Sequence, residues 1–577
     1  MPSQLRTMFP LGAAVIALGV SAVSAHAQIS QAMVSSYLWP NTDGDFRRAD
    51  SILQADESLV HVSRLRMLDL EETMRRGPVR ERSDTGTKGT RVMEQITVDA
   101  PGGRKIPVYV QLPSSYSPAR EWPLMFAMHG GPTGNEMQAL QGAQRMLSVW
   151  SEPAERAGWI VAAPAMLSTT AKDGRTRDRL PYEIFHPKEA KAVIDALRVR
   201  YNISADRVVS TGISLGSNFS IGFAAAHPDW LAAIVPVSTE GDSRELLLRN
   251  LLGVPIYVLE GSRDRNIRGV SGPRTLATIL TGLGYDLTYR EFSDRAHEGF
   301  QEHYADVLRW LDSRPRRKYP REVLRVPHDA IMPVAKRVHW IETDTRQALV
   351  HAVVVNTDRI DITARWTPGL TVFLNDHLVN MDESTEIWVN GIRVFNDTVP
   401  RSAVTALTQA KLLKDERRVY AASVHVTVPS TPQAIAAGKS LWKRLTPQLP
   451  EGQLSFWEMY AQRAIEERFP TVGFEGEETQ LPAAYEPRAA EQIAIRVTEV
   501  NPTSDFGKVG LRAGDLVISV GNEPFFRSRD GVGGLYRWLV RELRETPAQY
   551  PIVLWRDGRE ITVTASLHLG PYSPFAP

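Results

Sequence analysis

Arg207-Val-Val-Ser-Thr-Gly-Ile-Ser-Leu-Gly216 is a β-branched run that ends in a serine bracketed by glycines, and the small, apolar stretch Ser217 to Ala226 follows at helical length. Strand, glycine-flanked serine and helix in that order form a nucleophile elbow. Gly212 and Gly216 leave room for a sharp strand-to-helix turn, so the Ser214 hydroxyl projects from the top of a sheet into the positive end of the next helix. A serine held there can attack a carbonyl. The pentapeptide alone is a weak signal in a chain with 40 glycines, so its partners have to be found elsewhere in the sequence.

Upstream, Trp122-Pro-Leu-Met-Phe-Ala-Met128 reads as a buried strand that runs into His129-Gly-Gly-Pro-Thr-Gly134. Such a loop can aim backbone N–H groups at a developing oxyanion. Pro132 has no N–H, which makes Gly131 one expected donor, and Leu215, directly after the nucleophile, the other. Downstream, the apolar run Val254 to Glu260 ends in Gly261-Ser-Arg-Asp264, which places an acid just past a strand end. The strand-like Asp286 to Phe292 then leads into a loop carrying His297. Ser214, Asp264 and His297 follow one another in the chain order of one triad-bearing fold class, distinct from the trypsin-like and subtilisin-like orders. Asp294, Glu298 and Glu260 compete for the role of the acid. The first two sit too close to His297 in sequence to turn back easily onto its ring, which favours Asp264.

On these four motifs, HGGPTG, GISLG, GSRDRN and RAHEGF, residues from about 95 to 312 resemble an α/β-hydrolase of the prolyl-oligopeptidase and dienelactone-hydrolase type, close to secreted esterases and polyester depolymerases. The resemblance implies a mostly parallel sheet flanked by helices and an acyl-enzyme formed on Ser214. It also implies His297 as general base, Asp264 orienting the imidazole, and no metal or organic cofactor.

The 577 residues are 43% hydrophobic and carry 67 basic against 66 acidic side chains, a balance that points to neither a nucleic-acid nor an anionic-membrane partner. Arg6, the apolar run Phe9 to Val23 and Ala25-His-Ala27 predict a secretory signal peptide over 1–27, hence a periplasmic or extracellular protein with no membrane span after cleavage. There is no cysteine, so stability has to come from packing rather than disulfides. Leu59, Val62, Leu65, Leu68 and Leu70 predict a helical segment over 28–90 that packs on the hydrolase. A hairpin, Arg91 to Val98 and Lys105 to Leu112, opens the catalytic domain, 91–313. Met166 to Pro187, aromatic around Tyr182, Phe185 and His186, is expected to overhang the site. The short connection after the strand ending at Val237 suggests a cleft open to bulky or polymeric substrates.

Arg314-Pro-Arg-Arg-Lys-Tyr-Pro-Arg321 reads as a solvated junction, with a phosphate-binding patch as the alternative. Short alternating segments from Ala348 to Val389 then predict a β-sandwich within 314–430, similar to an immunoglobulin-like module, with its tryptophans Trp340, Trp366 and Trp388 in the core. A helical connector is expected over 431–470. Ile493 to Val500 followed by Gly510-Leu-Arg-Ala-Gly-Asp515 resembles a bacterial PDZ domain, which implies an α+β unit over 471–577 that adds a C-terminal peptide strand to a sheet edge. Val472, Gly473 and Phe474 are the candidate carboxylate-binding loop. Three functions fit these features: an esterase, a serine peptidase, and a PDZ-containing scaffold with a vestigial hydrolase.

Overall fold

In the computed structural model of the chain, the described residues are 29–571 except 41, 78–90, 132–134, 168–184, 242–244, 268–271, 328–333, 446–467, 471–473, 486–491, 501, 503, 522, 527–547 and 568. The expected signal segment and the candidate ligand-loop residues Val472 and Gly473 therefore lie outside the described residues, as does most of the expected overhang.

An eight-stranded mixed sheet carries the site. Its strands are β1 (Val92–Asp99), β2 (Lys105–Leu112), β3 (Trp122–Met128), β4 (Ile160–Pro164), β5 (Ile203–Ile213), β6 (Ala233–Val237), β7 (Ile256–Gly261) and β8 (Leu287–Phe292), in the order β1-β2-β4-β3-β5-β6-β7-β8. The expected hairpin β1–β2 is antiparallel, β2 meets β4 antiparallel, and every other pairing in the sheet is parallel. β3, β4, β6 and β7 are buried along their whole length, and β5 is buried except at Asp206, Arg207 and Ile213, as a sheet covered on both faces requires. Helices Pro187–Arg200, Leu215–Ala226 and Pro273–Gly282 cover one face, and Glu136–Ala157 and Tyr304–Asp312 the other. On that second face Trp150 stacks on Tyr304, ring centroids 3.8 Å apart.

Phe185 is not part of an aromatic overhang. It is fully buried between Phe126 and Phe219, and His186 caps the helix that begins at Pro187.

After the eight-stranded sheet come a four-stranded and a five-stranded sheet that share one core, with the expected strands at Leu349–Val354, Arg359–Arg365, Gly369–Leu374 and Thr385–Val389. Trp340 and Trp366 are buried in this region, whereas Trp388 is half-buried under Arg359. The N-terminal helices Gln31–Leu38, Asp43–Ala55 and Arg64–Arg75 belong to the same core and not to that of the eight-stranded sheet. Lys411 donates to the Tyr37 carbonyl at 2.7 Å and the Val62 N–H to the Arg401 carbonyl at 2.9 Å. The apolar spacing identified a face without naming its partner. Nor is it a single helical stripe: Ser63 caps a new helix, which buries Met67, Leu70 and Met74 and leaves Leu65 and Leu68 exposed.

The basic junction is likewise built in rather than solvated. Arg316 is buried, bonding Asp206 on β5 at 2.8 Å and Asp415, after the last helix of the second core, at 2.7 Å. Arg418 pairs with Asp229, and Arg198 donates to Glu416 at 2.6 Å. Burial opposes ionisation of Asp415, yet the guanidinium groups of Arg316, Arg418 and Arg198 hold its carboxyl well below the usual range. An ion of this network cannot be removed without stranding its partner in low dielectric. Arg418→Ala is expected to cost about 3–5 kcal/mol by urea denaturation, and a loss no greater than that of an exposed pair such as Arg274–Glu291 would show the network to be dispensable.

Of the expected helical connector the described residues hold helix Pro432–Leu445, while 446–467 lie outside them; the strand Arg468–Pro470 pairs with Leu569–Pro571. A six-stranded sheet closes the chain, running from Phe474–Gln480 to Arg559–Leu567. In it Asp515 is buried, accepts the Arg512 N–H at 2.9 Å and pairs with Arg556, which locks the Gly-Leu-Arg-Ala-Gly-Asp turn. Phe474 packs in the core of this unit against Phe506.

Candidate active site

The sequence-predicted residues gather at the carboxyl ends of adjacent strands. Ser214 follows β5, His129 follows β3, Asp264 lies three residues past β7 and His297 five past β8.

Ser214 holds φ 55° and ψ −121°, a conformation that a non-glycine residue rarely adopts and that costs on the order of 1–3 kcal/mol. Its surroundings impose it. The Ser214 N–H donates to Val237 O at 3.0 Å, and the Ser217 N–H and hydroxyl both return to Ser214 O. A Cβ on Gly216 would lie 2.4 Å from the Met128 carbonyl oxygen and 2.6 Å from that of His129, so only glycine lets the elbow close against the β3 loop. A Cβ on Gly130 would sit 3.2 Å from that of Ser214, which measures how near this loop comes to that serine.

Nδ1 of His297 donates to Oδ2 of Asp264 at 2.7 Å. The Asp264 side chain is 0% exposed and that of His297 35%, a carboxylate sealed from water beneath an imidazole open to solvent. The second Asp264 oxygen accepts the Asn266 N–H at 2.9 Å, which fixes the carboxylate plane. The competing acids are engaged elsewhere: Asp294 pairs with Arg263, Glu298 with Arg295, and Glu260 accepts the Thr239 N–H.

The loops of His297 and Ser214 are tied together through the end of β6. Ser238, at φ 42°, donates its hydroxyl to Glu298 O at 2.7 Å and accepts the Glu298 N–H at 3.0 Å. Val237, which receives the Ser214 N–H, precedes Ser238, and His297 precedes Glu298. Close approach at Gly261 does the same for the acid: a Cβ there would meet the Ala296 carbonyl oxygen at 2.3 Å. Neither Ser238 nor Gly261 carries a composition signal; their roles depend on which loops the fold brings together.

Among the described residues the N–H groups of Gly131 and Leu215 donate to no protein acceptor. His129 holds the loop that presents Gly131. Its Nδ1–H donates to Gly130 O at 2.6 Å, and its Nε2 accepts the Met166 N–H at 2.8 Å. Burial pushes this imidazole below its usual pKa, against the opposing effect of the Gly130 bond, so it stays in the neutral form that the two bonds demand. The sequence displayed His129 at the head of its loop but gave no sign of this bracing role.

No protein-family model matches the chain, and no curated protein sequence matches it. Among solved structures it is similar to a thermostable esterase, at 24% identity over 39% of this chain and 63% of that one, TM-score 0.31. It is similar to an S-formylglutathione hydrolase from Agrobacterium tumefaciens, at 14% identity over 40% of this chain and 97% of that one, TM-score 0.32. A third is dipeptidyl peptidase 4 of Porphyromonas gingivalis, at 14% identity over 39% of this chain and 36% of that one, TM-score 0.29. The chain thus spans less than two thirds of the length of the esterase and of the dipeptidyl peptidase.

Proposed function

We propose that this chain is an exported serine hydrolase of the α/β-hydrolase type that cleaves carboxylic esters through an acyl-enzyme on Ser214. The observation that carries the proposal is the strained Ser214 backbone together with a His297 whose Nδ1 is fixed by the buried Asp264 and whose loop is tied through Ser238 to the strand end that holds Ser214. Ser214 Oγ attacks the carbonyl carbon while Nε2 of His297 takes its proton. The oxyanion is met by the N–H groups of Leu215 and Gly131, each such donor being worth about 10²–10³ in turnover. Collapse expels the alcohol, which leaves with the proton from His297. Water then attacks the acyl carbon, His297 takes its proton and returns it to Ser214 Oγ, and the acid departs.

The sheets between 322 and 427 are taken as a β-sandwich that buttresses the catalytic unit, and the last sheet as a PDZ-like module for a peptide or partner. On this reading the module is not part of the catalytic site. Deleting residues 471–577 is expected to leave turnover of a short-chain p-nitrophenyl ester unchanged, whereas its collapse in a folded truncation would put that unit in the site.

A further inference from the structure

Glu260, near the end of β7, is 0% exposed and has no place in the reaction above. It lies on the face of β7 that carries Ile256 and Val258. One carboxyl oxygen accepts the Thr239 N–H, and the other has no hydrogen-bond partner in the structure. The charged groups around it are both acidic, Asp264 on its own strand's loop and Glu291 on β8. Glu291 is itself taken by Arg274 at 2.5 Å and by the Tyr289 hydroxyl at 3.0 Å. Among the described residues no cation pairs with Glu260. A buried carboxylate with one hydrogen bond and two anionic neighbours is untenable, whereas a neutral carboxylic acid fits the same space.

Its one partner leads to the nucleophile. The Thr239 hydroxyl donates at 2.7 Å to Oδ1 of Asn218, in the first turn of the helix that starts at Leu215. Asn218 reaches on to Glu240 at 3.1 Å, and its own N–H and the Ser217 hydroxyl both return to Ser214 O.

We propose that Glu260 is a positioning residue that works as an un-ionised acid: it holds Thr239, and through Thr239 and Asn218 the turn that carries Ser214, so that loss of its proton disassembles the site and sets the alkaline limit of turnover. This rests on the serine hydrolase reading. Burial pushes the carboxyl up to about 9, the charges of Asp264 and Glu291 add to the effect, and the Thr239 N–H opposes it. The folded chain keeps this proton to higher pH than the unfolded chain does. Stability therefore falls as pH rises from the usual carboxylate range to about 9 and levels off above it. Glutamine reproduces the neutral acid and has no proton to lose.

The test uses the full chain as wild type, Glu260→Gln and Glu260→Ala, with kcat and KM for a p-nitrophenyl ester followed across pH and melting temperature followed from neutral to alkaline. Glu260→Gln is expected to keep wild-type kcat at neutral pH and to lose the alkaline fall near pH 9. Its melting temperature should gain on wild type as pH rises toward that value. Glu260→Ala, which releases Thr239, is expected to lose kcat by on the order of 10²-fold with little change in KM. The proposal is overturned if Glu260→Gln is as impaired as Glu260→Ala, if it keeps the wild-type alkaline limb, or if its melting temperature tracks that of wild type at every pH. Wild type that turns over no ester would instead remove the hydrolase reading, and the melting comparison would still read the buried acid by itself.

Discussion

Ser214→Ala is expected to lower ester turnover by on the order of 10⁶-fold, because the nucleophile, its base and the base's orienter act as one unit. The fold should be indifferent to the change. Among the described residues no hydrogen bond of the Ser214 hydroxyl holds the elbow; the bonds that shape it use the backbone N–H and carbonyl of Ser214 and the close contact at Gly216. Alanine keeps that backbone and its Cβ. The variant should therefore melt with wild type while losing activity, as read by steady-state kinetics beside a thermal scan. Appreciable turnover by a folded Ser214→Ala protein would mean that the chemistry lies elsewhere.

Asp264→Asn is expected to cost on the order of 10⁴-fold in kcat, for a reason visible in the hydrogen bonds around the carboxylate. Oδ1 accepts the Asn266 N–H, so the asparagine that replaces Asp264 keeps its carbonyl oxygen there and presents its NH₂ toward His297. A donor now faces Nδ1. The imidazole must accept that bond and carry its proton on Nε2, the atom that has to take the proton of Ser214. The side chain is nearly isosteric and still bonded on both sides, so the loss should appear in kcat far more than in stability. A variant that retains most of the wild-type kcat would remove Asp264 from the role of orienter.

The site was legible where chemistry is written into local sequence. Gly212-Ile-Ser-Leu-Gly216 after a β-branched run fixes both a turn and a protruding hydroxyl, and an acid three residues past a buried strand can only lie at one rim of the sheet. Parallel order along the sheet then brings Ser214, Asp264 and His297 to that rim without further signal. What could not be read was every role that depends on a distant partner. Arg316 sits in a run that looks solvated, and only the fold supplies Asp206 and Asp415, the latter nearly a hundred positions away. The N-terminal leucines declare an apolar face, yet whether it meets the eight-stranded sheet or the sheets after residue 320 is decided by the Tyr37 and Val62 contacts. Phe185 and Glu260 show the same limit. An aromatic residue before a proline looks like a loop, and a glutamate ending a strand looks ionised, until the neighbours that bury them are known.

Fluorophosphonate labelling of the mature protein, with the modified peptide located by mass spectrometry, tests the serine hydrolase assignment most directly. Short-chain p-nitrophenyl esters and a fluorogenic peptide library run beside it read the bond that is cleaved. A single phosphonyl adduct on Ser214, abolished in Ser214→Ala and accompanied by ester turnover without peptide cleavage, is the predicted result. An unlabelled Ser214 in folded wild-type protein, or an adduct on another residue, would contradict it.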